Sequence, residues 1–219
     1  MDALKPLGDS SLLITLGDEM DPRLNQRVHA LASLIEAAPL AGIRETVPAY
    51  ATLLVHYDPL TLTYSQLADW LRLRLDQADS AAARTPRLIE VPTRYGGASG
   101  ADLDAVAAAH ALTAADVIRL HSGRDYLVYM MGFTPGFPYM GALDDAIVTP
   151  RLETPRTSVP AGTVAIAGAQ TGIYPLASPG GWNLIGWTSL KLLDPASETP
   201  FLFAPGDTVR FIQIEGDDA

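Results

Sequence analysis

Apolar and polar positions along the first third of the chain follow one plan twice. Residues 3–7 and 11–16 are short apolar runs separated by the turn pair Gly8-Asp9, which predicts two paired strands. Asp21-Pro22 then predicts a helix start, because Asp satisfies orphan first-turn N–H groups and Pro is tolerated at the first helical position. Leu24, Val28, Leu31 and Ile35 recur at helical spacing, so one face of that helix is buried. The plan repeats with apolar runs at 43–47 and 52–57 around Pro48-Ala49, followed by Asp58-Pro59. Thr63 with Gln66 is a capping box, and Leu67, Trp70, Leu71 and Leu75 form the apolar stripe of the second helix. Two strand-strand-helix units predict one four-stranded sheet with both helices on one face. A ferredoxin-like split sheet is the alternative if residues 88–91 supply its last strand.

The pattern then changes. Residues 79–86 are polar and Ala-rich and end in Thr85-Pro86. They place a linker at 81–86, between a small α+β domain over 1–80 and a second domain over 87–219. Residues 102–111 and 114–121 predict two helices, the second capped by Thr113 and Asp116. Beyond Tyr126, apolar runs at 126–131, 164–167, 182–185, 191–193 and 209–214 alternate with Gly/Pro turns. Many short strands between such turns predict a closed β-barrel or a sandwich.

Composition narrows the function classes. Of the 219 residues, 48% are hydrophobic and 18% charged, which supports well-packed cores. The formal net charge of -10 disfavours nucleic-acid backbones and anionic membranes. There is no cysteine, so disulfides, thiolate metal sites and a Cys nucleophile are excluded. Residues 1–8 lack the basic-then-apolar pattern of a leader, and no apolar stretch nears the ~20 residues that cross a bilayer. The expected location is the cytoplasm. No phosphate loop or nucleophile elbow is present. None of His29, His56, His110 and His121 has metal-ligand spacing, so no metal site is expected.

Three stretches carry candidate chemistry. Gly132-Phe133-Thr134-Pro135-Gly136-Phe137-Pro138-Tyr139-Met140-Gly141 is too rich in Gly and Pro for a long helix or a central strand. It reads either as a loop approaching a ligand, walled by Phe133, Phe137 and Tyr139, or as a tight barrel corner with core aromatics. Pro150-Arg151 and Pro155-Arg156 read either as two guanidiniums around one anion, or as surface arginines pairing with Glu153 or Asp144. From Gly168 to Gly186, the neutral hydrogen-bonding residues Gln170, Thr171, Tyr174, Ser178 and Asn183 are interleaved with glycines. Such groups suit an amide or lactam, and Trp182 would close the pocket. His121 ends its helix as a dipole partner or serves as a proton-transfer group.

These motifs resemble a known family, the B subunits of bacterial ATP-dependent 5-oxoprolinase. The family is also labelled allophanate hydrolase subunit 1 or Kip-type kinase inhibitor, of the carboxyltransferase subdomain C and D type. The resemblance is carried by Pro6-Leu7-Gly8-Asp9-Ser10, Pro92-Thr93-Arg94-Tyr95-Gly96-Gly97, Leu120-His121-Ser122 and the Gly132-to-Tyr139 stretch. It continues through Thr149-Pro150-Arg151, Thr154-Pro155-Arg156 to Gly162, Ile166-Ala167-Gly168 to Pro175, Ser178-Pro179-Gly180-Gly181-Trp182 and Gly206-Asp207.

The resemblance implies a small α+β N-terminal domain and a cyclophilin-like β-barrel C-terminal domain. It implies a C subunit of related barrel fold, a separate A subunit, and ATP, with Mg, shared with those partners. The implied activity is ATP-driven opening of 5-oxo-L-proline to L-glutamate. Urea or allophanate carboxylase chemistry and inhibition of a histidine kinase are the alternatives. The chain departs from the family pattern at Asn183, often Gln, and at Trp187, where an Arg is expected. The candidate pocket is His121, Phe137, Tyr139, Arg151, Arg156, Gln170, Tyr174, Trp182 and Asn183. The arginines are assigned to an anion, Gln170 and Asn183 to the substrate amide, the aromatics to the walls, and His121 to proton transfer.

Overall fold

The computed structural model describes residues 3–78 and 86–215. The expected linker at 81–86 therefore lies, apart from Pro86, outside the described residues. Contacts divide the chain into two compact units, Met1–Thr85 and Pro86–Ala219.

The first unit is β1 (Ala3–Pro6), β2 (Ser11–Thr15), α1 (Pro22–Ala37), β3 (Ile43–Pro48), β4 (Thr52–Tyr57) and α2 (Tyr64–Ala78). The strands form one antiparallel sheet in the order β1-β2-β4-β3. Alternation along β2 and β4 turns Leu12, Ile14, Leu53, Val55 and Tyr57 to one face. There they pack with Val28, Leu31 and Ile35 of α1 and Leu67, Leu71 and Leu75 of α2. Both helix starts form as their sequences require. The Asp21 carboxylate accepts from the N–H groups of Arg23 and Leu24 at 2.6 and 3.1 Å. Thr63 N–H donates to Gln66 Oε1 at 3.0 Å, and Gln66 N–H donates back to Thr63 Oγ1 at 3.3 Å. The ferredoxin-like alternative is overturned, because residues 88–91 pair within the second unit.

The second unit contains β5 (Leu88–Tyr95), α3 (Leu103–Ala109), α4 (Ala114–Ser122), β6 (Asp125–Met131), β7 (Pro138–Gly141) and β8 (Arg156–Val159). These are followed by β9 (Thr163–Ala167), β10 (Gln170–Ile173), β11 (Ser178–Gly180), β12 (Asn183–Trp187) and β13 (Thr208–Gln213). Seven strands close a barrel in the order β10-β7-β6-β13-β5-β12-β9, with β10 returning to β9. Val91, Val128, Met140, Val164, Ile166, Ile185, Val209 and Phe211 fill its core together with Leu103 and Val106 of α3 and Val117 of α4. β8 and β11 form a separate ribbon. The buried Asp207 carboxylate holds the start of β13, accepting from the Arg87 guanidinium and from Ala204 N–H.

Two expectations fail locally. Residues 191–193 form no strand; only an isolated bridge joins Leu193 to Phe201. The Gly132-to-Gly141 stretch is not a loop throughout, since its second half is β7, hydrogen-bonded to β6 on one side and β10 on the other. Pro138 sits at the first position of that strand, where a missing N–H costs least. Among the described residues, no helix is long and apolar enough to cross a membrane.

Candidate functional site

The aromatic residues of the Gly-rich stretches converge on one place. Phe137 is buried at its centre, with ring centroids 4.9 Å from Tyr139, 5.2 Å from Tyr174, 5.4 Å from Trp182 and 5.8 Å from Phe133. Most of these pairs meet edge to face, the arrangement favoured by ring quadrupoles. Two glycines make the cluster possible. A Cβ on Gly172 would lie 2.7 Å from the Phe137 ring, and one on Gly180 would lie 2.1 Å from the Tyr174 hydroxyl. Gly172 and Gly180 are thus required by the bulk of neighbouring rings, whereas Gly168 has a left-handed φ of 56° and a Cβ on Gly186 would lie 2.8 Å from the Arg94 carbonyl oxygen.

The cluster opens into a cavity of about 330 Å³ between the β6–β7 loop, the segment before β8, and β11 with its following turn. Five of the nine candidates, Phe137, Tyr139, Arg151, Tyr174 and Trp182, line it, joined by Phe133, Leu152, Pro155, Pro179, Gly180 and Gly181. Leu152 N–H donates to Gly181 O at 2.8 Å and ties the two rims together. Of the lining residues only Arg151 is charged. It is exposed and makes no ion pair among the described residues. Burial raises the hydroxyl pKa of both Tyr139 and Tyr174, and the Arg151 charge opposes that rise in each. Both hydroxyls are therefore neutral hydrogen-bonding groups at ordinary pH, close to a cation. The Trp182 backbone N–H also donates to the Tyr174 hydroxyl, fixing that wall.

The other four candidates lie elsewhere. Arg156 does not share an anion with Arg151: its guanidinium is bound to Asp102 at 2.7 Å, and Asp102 also accepts from Leu184 N–H at 2.7 Å. This ties β8 and β12 to the start of α3. The alternative, surface arginines pairing with Glu153 or Asp144, is met in kind for Arg156, whose partner is Asp102; among the described residues Asp144 pairs with Arg124. Asn183 is buried outside the cavity lining and donates through Nδ2 to the carbonyls of Pro150 and Ile166, contacts that tie it into the fold. Gln170 begins β10, outside the cavity lining.

His121 is fully buried against Tyr126 and Phe211. Its Nε2 lies 2.8 Å from Thr171 Oγ1 and its Nδ1 2.7 Å from the Tyr95 hydroxyl. Thr171 Oγ1 donates its proton to Ala165 O. It must then accept from His121, so Nε2 carries the proton and Nδ1 accepts from Tyr95. Burial lowers the His121 pKa to about 3. That geometry does not fit the proton-transfer role; it is a pin joining α4 to β5 and β10.

Trp187, standing where an Arg was expected, donates to Ala161 O at 2.8 Å and lies beneath the Arg94 guanidinium, 5.0 Å from its ring centroid. Sequence reasoning left Gly180 and Gly181 out of the site, although the Gly-Gly pair beside Trp182 was the available signal.

The sequence profile of the carboxyltransferase domain, subdomain C and D, matches residues 3–203. The chain belongs to this carboxyltransferase-domain family. Within the family, it is 42% identical to the 5-oxoprolinase B subunit of Escherichia coli O157:H7, over 96% of this chain and 95% of that protein. It is 39% identical to the 5-oxoprolinase B subunit of Bacillus subtilis strain 168, over 98% of this chain and 94% of that protein. The crystal structure of TTHA0988 superposes with a TM-score of 0.83 at 42% identity, covering 94% of this chain and 40% of that longer chain. The expected α+β unit and closed barrel are thus shared with the solved structure of TTHA0988.

Proposed function

We propose that the chain is the B component of an ATP-dependent 5-oxoprolinase and acts with A and C subunits to convert 5-oxo-L-proline, ATP and water to L-glutamate, ADP and phosphate. The observation that carries this reading is the end-to-end identity of 39–42% with proteins named as that component. The cavity supports it chemically. A five-membered lactam carboxylate is small, flat and singly charged. Arg151 offers a two-pronged donor for the carboxylate, the aromatic rings offer faces for the lactam, and the Tyr139 and Tyr174 hydroxyls offer neutral hydrogen bonds.

The same lining does not suit a triphosphate. One guanidinium faces several negative charges, no glycine-rich phosphate loop is present, and the chain is acidic. In this reading the nucleotide phosphates are held by the partner subunits. ATP is needed because a lactam is a resonance-stabilised amide whose nitrogen leaves poorly. Transfer of the γ-phosphoryl group to the lactam oxygen activates the ring carbon, and water adds there. The ring C–N bond breaks with the nitrogen taking the proton, and a second water releases phosphate from the resulting acyl phosphate. The part of this chain is to bind and orient the lactam and to keep bulk water from its face.

The test is ATP turnover with 5-oxoproline, comparing this chain alone, with C, and with A and C together. Turnover confined to the assemblies is the expected result. No turnover in any combination would send the function toward urea or allophanate chemistry.

A further inference from the structure

The aromatic cavity is one-sided in its charge. Arg151 lines it, and none of the lining residues is acidic. No carboxylate is among the charges that act on the Tyr139 and Tyr174 hydroxyls; the cation Arg151 acts on both, and Arg156 on Tyr174 as well. Tyr174 adds a second donor to this wall. The residue is 1% exposed, and its hydroxyl oxygen accepts from the Trp182 backbone N–H. Among the described residues nothing accepts the hydroxyl proton. A Cβ on the lining residue Gly180 would lie 2.1 Å from that hydroxyl, so the glycine leaves it uncovered at the cavity wall. A buried hydroxyl with its oxygen engaged and its proton unplaced is costly unless a ligand takes the proton.

Five-membered ring carboxylates come in two charge types. In 5-oxo-L-proline the ring nitrogen is an uncharged amide, and the carbonyl oxygen beside it is an acceptor. In L-proline the same nitrogen is an ammonium. A wall of donors suits the first. An ammonium placed there leaves water, meets the like charge of Arg151 and finds no carboxylate to pair with. Resting on the reading of the chain as a 5-oxoprolinase component, we propose that the cavity selects carboxylates whose nitrogen is an uncharged lactam, with Arg151 on the carboxylate and the Tyr174 hydroxyl donating to the lactam oxygen. That oxygen has two lone pairs, so one remains for the incoming phosphoryl group. Hydrolysis then reverses the fit. Once the ring C–N bond has broken, the freed nitrogen takes up protons and becomes an ammonium. L-Glutamate therefore carries the group that the cavity rejects, and ring opening itself drives product release. Tyr174 is in this way a specificity-determining residue as well as a wall.

The experiment is calorimetric titration of the full chain near neutral pH with 5-oxo-L-proline, L-proline, L-glutamate and cyclopentanecarboxylate. The last keeps the ring and the carboxylate but has neither nitrogen nor lactam oxygen. L-Proline and L-glutamate should bind at least about thirtyfold more weakly than 5-oxo-L-proline, with cyclopentanecarboxylate in between. Tyr174→Phe should weaken 5-oxo-L-proline about three- to tenfold and leave cyclopentanecarboxylate unchanged, a split that a merely structural hydroxyl would not produce. If Tyr174→Phe fails to fold, the order of the four ligands on the wild-type chain decides. L-Proline binding as tight as 5-oxo-L-proline, equal losses for both ring ligands in Tyr174→Phe, or no 5-oxo-L-proline binding at all would overturn the inference. ATP turnover in the assembly with A and C reads the function separately. Turnover with unselective binding would sink the inference and leave the oxoprolinase reading standing; selective binding without turnover would sink that reading and leave the selectivity.

Discussion

Arg151 and Arg156 follow prolines on the same segment, yet the structure gives them opposite tasks. Arg151 is exposed, unpaired among the described residues, and lines the aromatic cavity. Arg156 is half-buried and committed to Asp102. Their alanine variants should therefore separate binding from stability. A charge-assisted bidentate contact contributes about 1.5–3 kcal/mol, so Arg151→Ala should raise KM for 5-oxoproline about tenfold to hundredfold in the assembled enzyme. Its thermal midpoint should stay at the wild-type value. Arg156→Ala removes one partner of a partly exposed ion pair and should lower unfolding free energy by about 1–2 kcal/mol, read by urea titration. A double-mutant cycle with Asp102→Ala would then be strongly non-additive. Equal effects of both arginines on KM would contradict the division.

At the scale of elements, what the sequence made legible depended on how locally each element is determined. The helices and four strands of the first unit were readable, because caps such as Asp21 and Thr63/Gln66 and the stripes of α1 and α2 are encoded within a few residues. β7, β10 and β11 were not, because four residues or fewer with a glycine or proline carry no periodicity; barrel closure makes them strands. The aromatic walls were legible as types, while the choice between site and pin was not. His121 shows why: only the fold brings Tyr95 and Thr171 to its two nitrogens.

That pin has a measurable consequence for the barrel. The folded chain keeps His121 neutral down to about pH 3, whereas an unfolded histidine takes up its proton near pH 6.5. Between these values the unfolded chain binds more protons. Stability should fall as pH drops below about 6.5, with a slope from this group of at most about 1.4 kcal/mol per pH unit. His121→Gln should flatten the dependence of the thermal midpoint on pH across that window. A slope identical to wild type would show that other groups govern acid sensitivity.

At the scale of the whole molecule, each core draws its side chains from one unit. The first is built from Leu12 to Ala78, and the second from Val91 to Phe211. The cavity is lined entirely by residues between Phe133 and Trp182, so it belongs to the second unit alone. A barrel of about 130 residues is of a size that ordinarily sustains its own core. Residues 86–219 expressed alone should therefore unfold cooperatively, with near-UV dichroism from the packed aromatics. On the proposed reading, calorimetric titration should show the same 5-oxoproline binding for residues 86–219 as for the full chain. Cooperative unfolding without that binding would mean that the first unit, which supplies no lining residue, nonetheless sets the position of the walls.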